Sequence, residues 1–331
     1  MLFWYNDLYR EIRSGQTARC RTHQGYPIHQ TGRGMLMQIT ELLSGQRSSL
    51  SFEVFPPKKS SNYENIRRAA EEIAGLSPSF MSVTYGAGGG TSDYTVSIAA
   101  DIQNQFQVPA LAHLSCIHSS REGIREQLAG LRAAGIRNVL ALRGDLPPET
   151  GVQEEWDFRY ASQLVAEIRQ YGGFCVGAAC YPEGHTESPS QRRDIEFLKE
   201  KVDAGCDFLT SQMFFDNNIF YNFMYKIRNV GIQVPVIAGI MPVTNVAQIR
   251  RITALSGTVL PQRFRYILDR FGEDPATMRQ AGIAYATEQI VDLFANGVPA
   301  VHVYSMNNPF VARKITENLS EIVGSCAGEA P

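Results

Sequence analysis

From residue 50 onward, apolar segments of β-strand length alternate with segments whose apolar residues recur at helical spacing. Glycine-containing turns, such as those at Gly135 and Gly205, close several of the helical segments, as helix ends require. We predict strands at 50–55, 80–85, 109–116, 138–144, 174–182, 208–215, 234–241 and 300–305. We predict helices at 62–75, 93–105, 121–134, 158–171, 190–204, 217–230, 245–255 and 309–323.

This alternation predicts an α/β protein whose parallel strands close into a (β/α)8 TIM barrel. The interval before the last strand is longer than the others, and we expect it to hold extra helices at 261–270 and 275–295. An open, doubly wound sheet is the alternative architecture that the same alternation allows.

The ends of the chain differ from its centre. Residues 15–34 are polar and lack periodicity, so we expect 1–36 to be a disordered extension, 37–326 to be a single barrel domain and 327–331 to be a tail. Met35 and Met37 directly precede the first periodic segment. We therefore hypothesise that natural translation starts at one of these two methionines.

Polar residues enter the predicted strands near their C-terminal ends and at a spacing of two. This spacing puts both members of a pair on one face of the strand. The pairs are Ser82 with Thr84, His113 with Ser115, Arg143 with Asp145, Thr210 with Gln212, and His302 with Tyr304. Buried hydroxyls and imidazoles often only satisfy nearby backbone groups. Five such strands in register, however, indicate an active site at the barrel mouth.

Glu53 is the one carboxylate in the apolar strand 50–55, which Pro56 and Pro57 terminate. Such a residue either lies at an exposed sheet edge or points into a cavity with a chemical task. A closed barrel has no sheet edge, and the polar pairs indicate an active site at its mouth. We therefore expect Glu53 to point into a cavity there. A carboxyl group in that setting should have a raised pKa.

The composition argues against several classes of function. The formal net charge is -2 without long runs of one sign, and no apolar run is long enough to span a membrane, which argues against nucleic-acid and membrane partners. Six scattered cysteines fit a reduced, cytoplasmic protein. The histidines lack HxH or HExxH spacing, so we predict no metal site.

Five motifs resemble those of the 5,10-methylenetetrahydrofolate reductase family. They occur at 51–58 (SFEVFPPK), 82–89 (SVTYGAGG), 141–148 (ALRGDLPP), 179–185 (ACYPEGH) and 212–216 (QMFFD), within a resemblance that runs from about 37 to 323. The resemblance implies an FAD-containing barrel that reduces 5,10-methylenetetrahydrofolate to 5-methyltetrahydrofolate with NAD(P)H, in one-carbon metabolism and methionine synthesis. It also implies a homo-oligomer.

The resemblance further implies roles for individual residues. Glu53 matches the general acid that protonates folate N10, and Asp145 matches a residue beside the flavin and the pterin, where an anion favours a cationic iminium. The implied cofactor-binding residues are Thr84, His113, Arg143, Gly144, Asp145, Ala161, Tyr181, His185, Asp194 and Lys201. The implied substrate-binding residues are Glu53, Asp145, Gln212, Gln248 and Tyr304.

One position departs from the family pattern, since Asn308 stands where bacterial members usually carry an arginine that holds folate carboxylates or phosphates. This puts folate affinity and donor preference in question. The sequence shows no motif that would recognise the ribose of the nicotinamide cofactor, so it does not decide between NADH and NADPH as the electron donor. Two other functions are alternatives. One is a different FAD barrel oxidoreductase, such as a proline dehydrogenase-like protein, although the motifs at Glu53 and Gln212 argue against it. The other is a flavin- or folate-binding subunit of an electron-transfer complex.

Overall fold

The computed structural model describes residues 37–45, 48–57, 62–85, 92–145 and 156–324. The strands are β1 (Ser49–Val54), β2 (Met81–Val83), β3 (Ala110–Ser115), β4 (Asn138–Leu142), β5 (Cys175–Cys180), β6 (Phe208–Ser211), β7 (Val236–Ile240) and β8 (Ala300–Val303). The helices before β6 are α1 (Ile39–Leu43), α2 (Tyr63–Ala74), α3 (Ser92–Phe106), α4 (Arg121–Ala133), α5 (Ala161–Tyr171) and α6 (Gln191–Asp203). Those after β6 are α7 (Asn217–Asn229), α8 (Val246–Ser256), α9 (Gln262–Phe271), α10 (Pro275–Ala295), α11 (Pro309–Asn318) and α12 (Ser320–Gly324).

The strands form a closed barrel in sequence order, and all neighbouring pairs are parallel. β1 pairs with β2 on one side and with β8 on the other, so the sheet has no edge. This confirms the predicted (β/α)8 barrel and excludes the open sheet. The two extra helices before the last strand are also confirmed, as α9 and α10.

Most strands are buried at every described position, because one face meets the helices and the other meets the barrel interior. The strand 80–85 of the prediction is observed only as Met81–Val83, and 208–215 only as Phe208–Ser211. The chain leaves the sheet at the barrel mouth, so several predicted site residues lie in loops directly after their strands.

α1 closes the opposite end of the barrel. Ile39 and Leu43 pack in a cluster with Leu140 and Phe208 inside the barrel. The backbone N–H of Ile39 donates to the side chain of Asn138, the first residue of β4, at 3.0 Å. Since α1 contacts the amino ends of the strands, the carboxyl ends remain as the accessible mouth, where barrel enzymes carry their sites.

Several sequence predictions concern residues outside the described ranges. These are the extension 1–36, the tail 327–331, Lys58 of the first motif, the glycine-rich part of the second motif at 86–89 and residues 146–148 of the third motif. The four cysteines in the described part of the chain are buried and free. Among the described helices, none combines the length and apolar character needed to cross a membrane.

Candidate active site

Glu53 lies one residue before the C-terminal end of β1, and its side chain is only 2% exposed. The register of β1 and β2 sets it directly beside Ser82, whose Oγ lies 3.4 Å from Glu53 Oε2. His113 Nε2 lies 3.5 Å from the same oxygen, and His302 Nε2 lies 4.0 Å from it. Strands β1, β2, β3 and β8 therefore bring four polar side chains to one buried point.

His302 connects these groups to Ser51, which lies two residues before Glu53 on the same face of β1. Its Nε2 lies 2.9 Å from Ser82 Oγ, and its Nδ1 lies 2.8 Å from Ser51 Oγ. Ser51 is the register partner of His302, and its hydroxyl also donates to the carbonyl oxygen of Val301 at 3.0 Å. Phe80 stacks on the imidazole with 5.4 Å between ring centroids, which fixes the ring plane.

Burial sets the charge state of both histidines. It lowers the pKa of His302 to about 3, and it lowers the pKa of His113 to about 3 with a smaller contribution from His302. Both imidazoles are therefore neutral near physiological pH. His113 Nε2 has no hydrogen-bond partner among the described residues, so this buried polar atom faces the Glu53 region unsatisfied.

Tyr304 and Asn307, both after β8, frame the same region. The Tyr304 hydroxyl donates to the carbonyl oxygen of Ser211 at 2.6 Å, and its pKa is raised first by burial and then by Glu53. Asn307 adopts a φ of 52°, and its side chain bonds both the N–H and the C=O of Phe55 at 2.9 Å. Asn307 thus holds the end of β1, a role that sequence reasoning missed.

A cavity of about 430 Å³ opens at the ends of β4 and β5. Eight of the ten predicted cofactor-binding residues line it: Arg143, Gly144, Asp145, Ala161, Tyr181, His185, Asp194 and Lys201. The residues come from two strand ends and from α5 and α6, so the fold alone brings them together.

The cavity wall carries two cations. Arg143 forms a two-point ion pair with Glu187, with both N–O distances at 2.7 Å. The pKa of Glu187 is lowered and that of Arg143 is raised, in each case mainly by this hydrogen bond. Lys201 Nζ donates to the carbonyl oxygen of Ala179 at 2.6 Å, and burial lowers its pKa.

Gly144 is required by the local geometry. Its φ is 93°, in a region that favours glycine, and a Cβ there would collide with Ser115 Oγ. Ser115 Oγ in turn donates to the carbonyl oxygen of Arg143 at 2.9 Å. The tight turn therefore fixes the direction in which Arg143 and Asp145 leave β4.

The other predicted residues lie away from this cavity. Thr84 and His113 are buried at the ends of β2 and β3, and His113 contacts Glu53 rather than the cavity wall. Gln212 follows β6 and accepts the N–H of Met213 at 3.0 Å, while Gln248 lies in the first turn of α8.

Asn308 has a structural task. Its side chain accepts the backbone N–H groups of Phe310 and Val311, at 3.1 and 3.3 Å, and so caps the N-terminus of α11. Sequence reasoning also missed several cavity residues, among them Tyr160, Glu187 and Phe197. Residues of these types on helices and loops carry no sequence signal of a site, because solvent or core contacts explain them equally well.

The fold and the site together define a class, the barrel enzymes that act at the carboxyl ends of their parallel strands. Comparisons identify the family. The family model described as Methylenetetrahydrofolate reductase matches residues 38–320. The chain belongs to this family, which confirms the sequence resemblance.

Two curated relatives illustrate the match. A 5,10-methylenetetrahydrofolate reductase of Pectobacterium carotovorum subsp. carotovorum is 35% identical over 88% of this chain and 96% of its own length. Methylenetetrahydrofolate reductase (NADH) 1 of Zea mays is 36% identical over 87% of this chain and 51% of its own length. The chain thus spans about half the length of the plant relative and almost all of the bacterial one.

A solved structure supports the architecture. An uncharacterised protein from Clostridium thermocellum, described as binding two copies of 5-methyl-5,6,7,8-tetrahydrofolic acid, superposes with a TM-score of 0.58. It is 13% identical, and the match covers 85% of this chain and 98% of that protein. At this level of identity, the similarity establishes the barrel fold alone.

Proposed function

We propose that this chain reduces 5,10-methylenetetrahydrofolate to 5-methyltetrahydrofolate, with FAD as bound cofactor and NAD(P)H as electron donor. The observation that carries the proposal is the position of Glu53, a buried carboxyl group at the barrel mouth of a chain in this reductase family. Cytoplasmic location and homo-oligomeric assembly remain predictions.

We assign the flavin dinucleotide to the cavity beside β4 and β5, because the charge of its lining suits a phosphate-bearing ligand. Arg143 and Lys201 provide positive charge of the kind that phosphate groups need. Arg143 uses two of its N–H groups on Glu187 and one on the carbonyl oxygen of Gly144, so two of its five N–H groups remain for an anion. The unsatisfied His113 Nε2 would gain a partner from a bound ring system.

When bound, the flavin would supply the hydride-carrying chemistry that no side chain has. The chain's own residues would then manage the proton. Burial favours the neutral form of a carboxyl group, and the neighbouring imidazoles of His113 and His302 are neutral, so neither adds a positive charge that would favour the Glu53 carboxylate. Glu53 is thereby suited to donate a proton to folate N10.

Asp145 has the opposite setting. It is partly exposed and follows Arg143 and Gly144 at the cavity wall. We assign it the role of an anion that stabilises the cationic iminium formed when the folate ring opens. Two carboxyl groups in different environments would thus take different roles.

Anaerobic half-reactions test this function. The purified protein is loaded with FAD, mixed with NADH or NADPH, and followed by the loss of flavin absorbance. Methylenetetrahydrofolate is then added, and the product is identified by mass spectrometry.

We expect bleaching by at least one nicotinamide, followed by reoxidation that forms 5-methyltetrahydrofolate. Bleaching without reoxidation by the folate would contradict the proposal. Bleaching only in the presence of another protein would instead support a subunit of an electron-transfer complex.

A further inference from the structure

Three buried side chains link Glu53 to a backbone carbonyl group. Ser82 Oγ lies 3.4 Å from Glu53 Oε2 and 2.9 Å from His302 Nε2. On the other side of the imidazole, Ser51 Oγ lies 2.8 Å from His302 Nδ1 and 3.0 Å from the carbonyl oxygen of Val301. All four side chains are at most 2% exposed. Contact with bulk water is therefore small for these four side chains.

The number of protons restricts how these contacts can be made. Each serine hydroxyl has one proton to donate, and the carbonyl oxygen of Val301 can only accept. If Ser51 donates to Val301, it must accept a hydrogen bond from His302, which puts a proton on Nδ1. The tautomer of His302 is thus set by a fixed acceptor on its own strand.

Two arrangements make all four hydrogen bonds. In the first, His302 is neutral with its proton on Nδ1, Ser82 donates to Nε2, and a protonated Glu53 donates to Ser82. In the second, Glu53 has passed its proton to Ser82, and Ser82 has passed its own proton to Nε2, which leaves a carboxylate and an imidazolium. With a carboxylate and a neutral imidazole, one hydrogen bond is always missing.

We propose that Ser82, His302 and Ser51 are positioning residues that keep Glu53 protonated, with His302 as the neutral Nδ1–H tautomer. The proposal deepens the proposed function, because a general acid must regain its proton before each turnover. Loss of the proton from Glu53, with His302 neutral, leaves one of these four hydrogen bonds unmade, and this cost favours the proton on the carboxyl group.

The surroundings of His302 favour the neutral arrangement over the ion pair. The ring stacks on Phe80 and meets the Tyr304 ring edge-on with 5.6 Å between centroids, so apolar surface covers it. Burial lowers the pKa of His302 to about 3. Two further ionisable groups in the described part of the chain interact with Glu53: His113, which is neutral, and Tyr304, whose pKa is raised. Neither of these two side chains carries a positive charge near physiological pH.

Nitrogen NMR of the 15N-labelled, FAD-loaded protein tests the tautomer without any folate chemistry. The signals of His302 are identified among those of six histidines by their loss in His302→Asn. We expect a protonated Nδ1 and an unprotonated Nε2 that do not titrate between about pH 5 and about pH 8. A proton on Nε2, alone or together with Nδ1, would overturn the proposal whether or not the protein reduces folate.

The pH dependence of the folate half-reaction gives a second test, since Ser82→Ala removes the group to which Glu53 donates. We expect the apparent pKa of this half-reaction to fall by about one unit, and the nicotinamide half-reaction to be unchanged. If Ser82 instead donates to a carboxylate, the same change raises the apparent pKa, which would contradict the proposal. Ser82→Thr keeps the hydroxyl and should restore the original profile.

A matched control is Ser305→Ala. The Ser305 hydroxyl is equally buried, but it donates to the backbone oxygen of Glu53 at 3.3 Å and not to the carboxyl group. We expect this variant to keep the apparent pKa of the wild type. An equal shift in both serine variants would mean that general disturbance of β1, and not the hydrogen-bond chain, sets the proton affinity.

Discussion

The Arg143 guanidinium and the Glu187 carboxylate form a two-point ion pair at the wall of the cavity, with both N–O distances at 2.7 Å. Glu187 belongs to the loop between β5 and α6, and Arg143 follows β4, so the ion pair connects this loop to the end of β4 at the cavity wall. Glu187→Gln should weaken this connection. Because Glu187 is half exposed, we expect only a three- to tenfold rise, roughly, in the dissociation constant for FAD.

Equilibrium titration of the apoprotein with FAD measures this constant. Glu288→Gln is the control, because Glu288 forms a similarly exposed ion pair with Arg263 between α9 and α10. An unchanged or tighter dissociation constant in Glu187→Gln would show that the pair does not hold the cofactor site closed.

Gly239 on β7 makes room for Tyr304. A Cβ at Gly239 would lie 2.6 Å from the Tyr304 hydroxyl and would also collide with the Ser211 carbonyl oxygen that this hydroxyl contacts. Gly239→Ala should therefore cost about 1–3 kcal/mol in the free energy of unfolding. Gly130→Ala in α4 meets no atom within 4 Å and should be neutral or stabilising. Urea titration measures both, and equal effects would contradict the packing argument.

The buried histidines make stability depend on pH. In the unfolded chain a histidine binds a proton below about pH 6.5, whereas folded His113 stays neutral down to about pH 3. The unfolded state therefore binds more protons in this range, and stability falls as the pH is lowered. Each such histidine contributes a slope of about 1.4 kcal/mol per pH unit.

His113→Asn should remove one such contribution. The free energy of unfolding, measured in urea at several pH values from about 4 to about 6, should then fall less steeply by about 1.4 kcal/mol per pH unit. The same change at the exposed His118 is the control. Parallel pH profiles for wild type and His113→Asn would show that His113 titrates normally in the folded protein.

Asn308→Arg tests the departure from the family pattern. The substitution removes the cap of α11, so we expect a loss of about 1 kcal/mol in stability. If an arginine there holds folate carboxylates, folate affinity should nevertheless rise. Thermal unfolding and folate binding, measured on the same preparation, separate the two effects. Unchanged folate affinity would show that asparagine in place of arginine at position 308 does not weaken folate binding.

The barrel was predictable because strand and helix periods alternate along the whole chain, and strands such as 174–182 are apolar throughout. The convergence of Ser82, His113 and His302 on Glu53 followed partly from the spacing of two, since this spacing sets the face of each strand. The strand register, which decides that Ser82 and not another residue lies beside Glu53, is not visible in a single sequence.

Loop residues show the limit of sequence reasoning. Asn307 holds the end of β1 through two backbone hydrogen bonds, and its only sequence signal is that asparagine tolerates positive φ. Glu187 reads as a charge on a polar turn, because its partner Arg143 lies 44 residues away in the chain. Contacts of this kind depend on how loops from different strands meet, which only the fold determines.

The central claim is that Glu53 is the proton donor in folate reduction. Glu53→Gln keeps the shape and hydrogen-bonding capacity of the side chain but removes the acidic proton. Glu53→Asp, which keeps an acid but withdraws it, is the comparison variant. Both should bind FAD with wild-type stoichiometry.

The decisive measurement is the rate of flavin reoxidation by methylenetetrahydrofolate in reduced, FAD-loaded Glu53→Gln. We predict that NAD(P)H still reduces the flavin at close to the wild-type rate, and that reoxidation by the folate slows by at least about 100-fold. Reoxidation at the wild-type rate, with 5-methyltetrahydrofolate as product, would contradict the account.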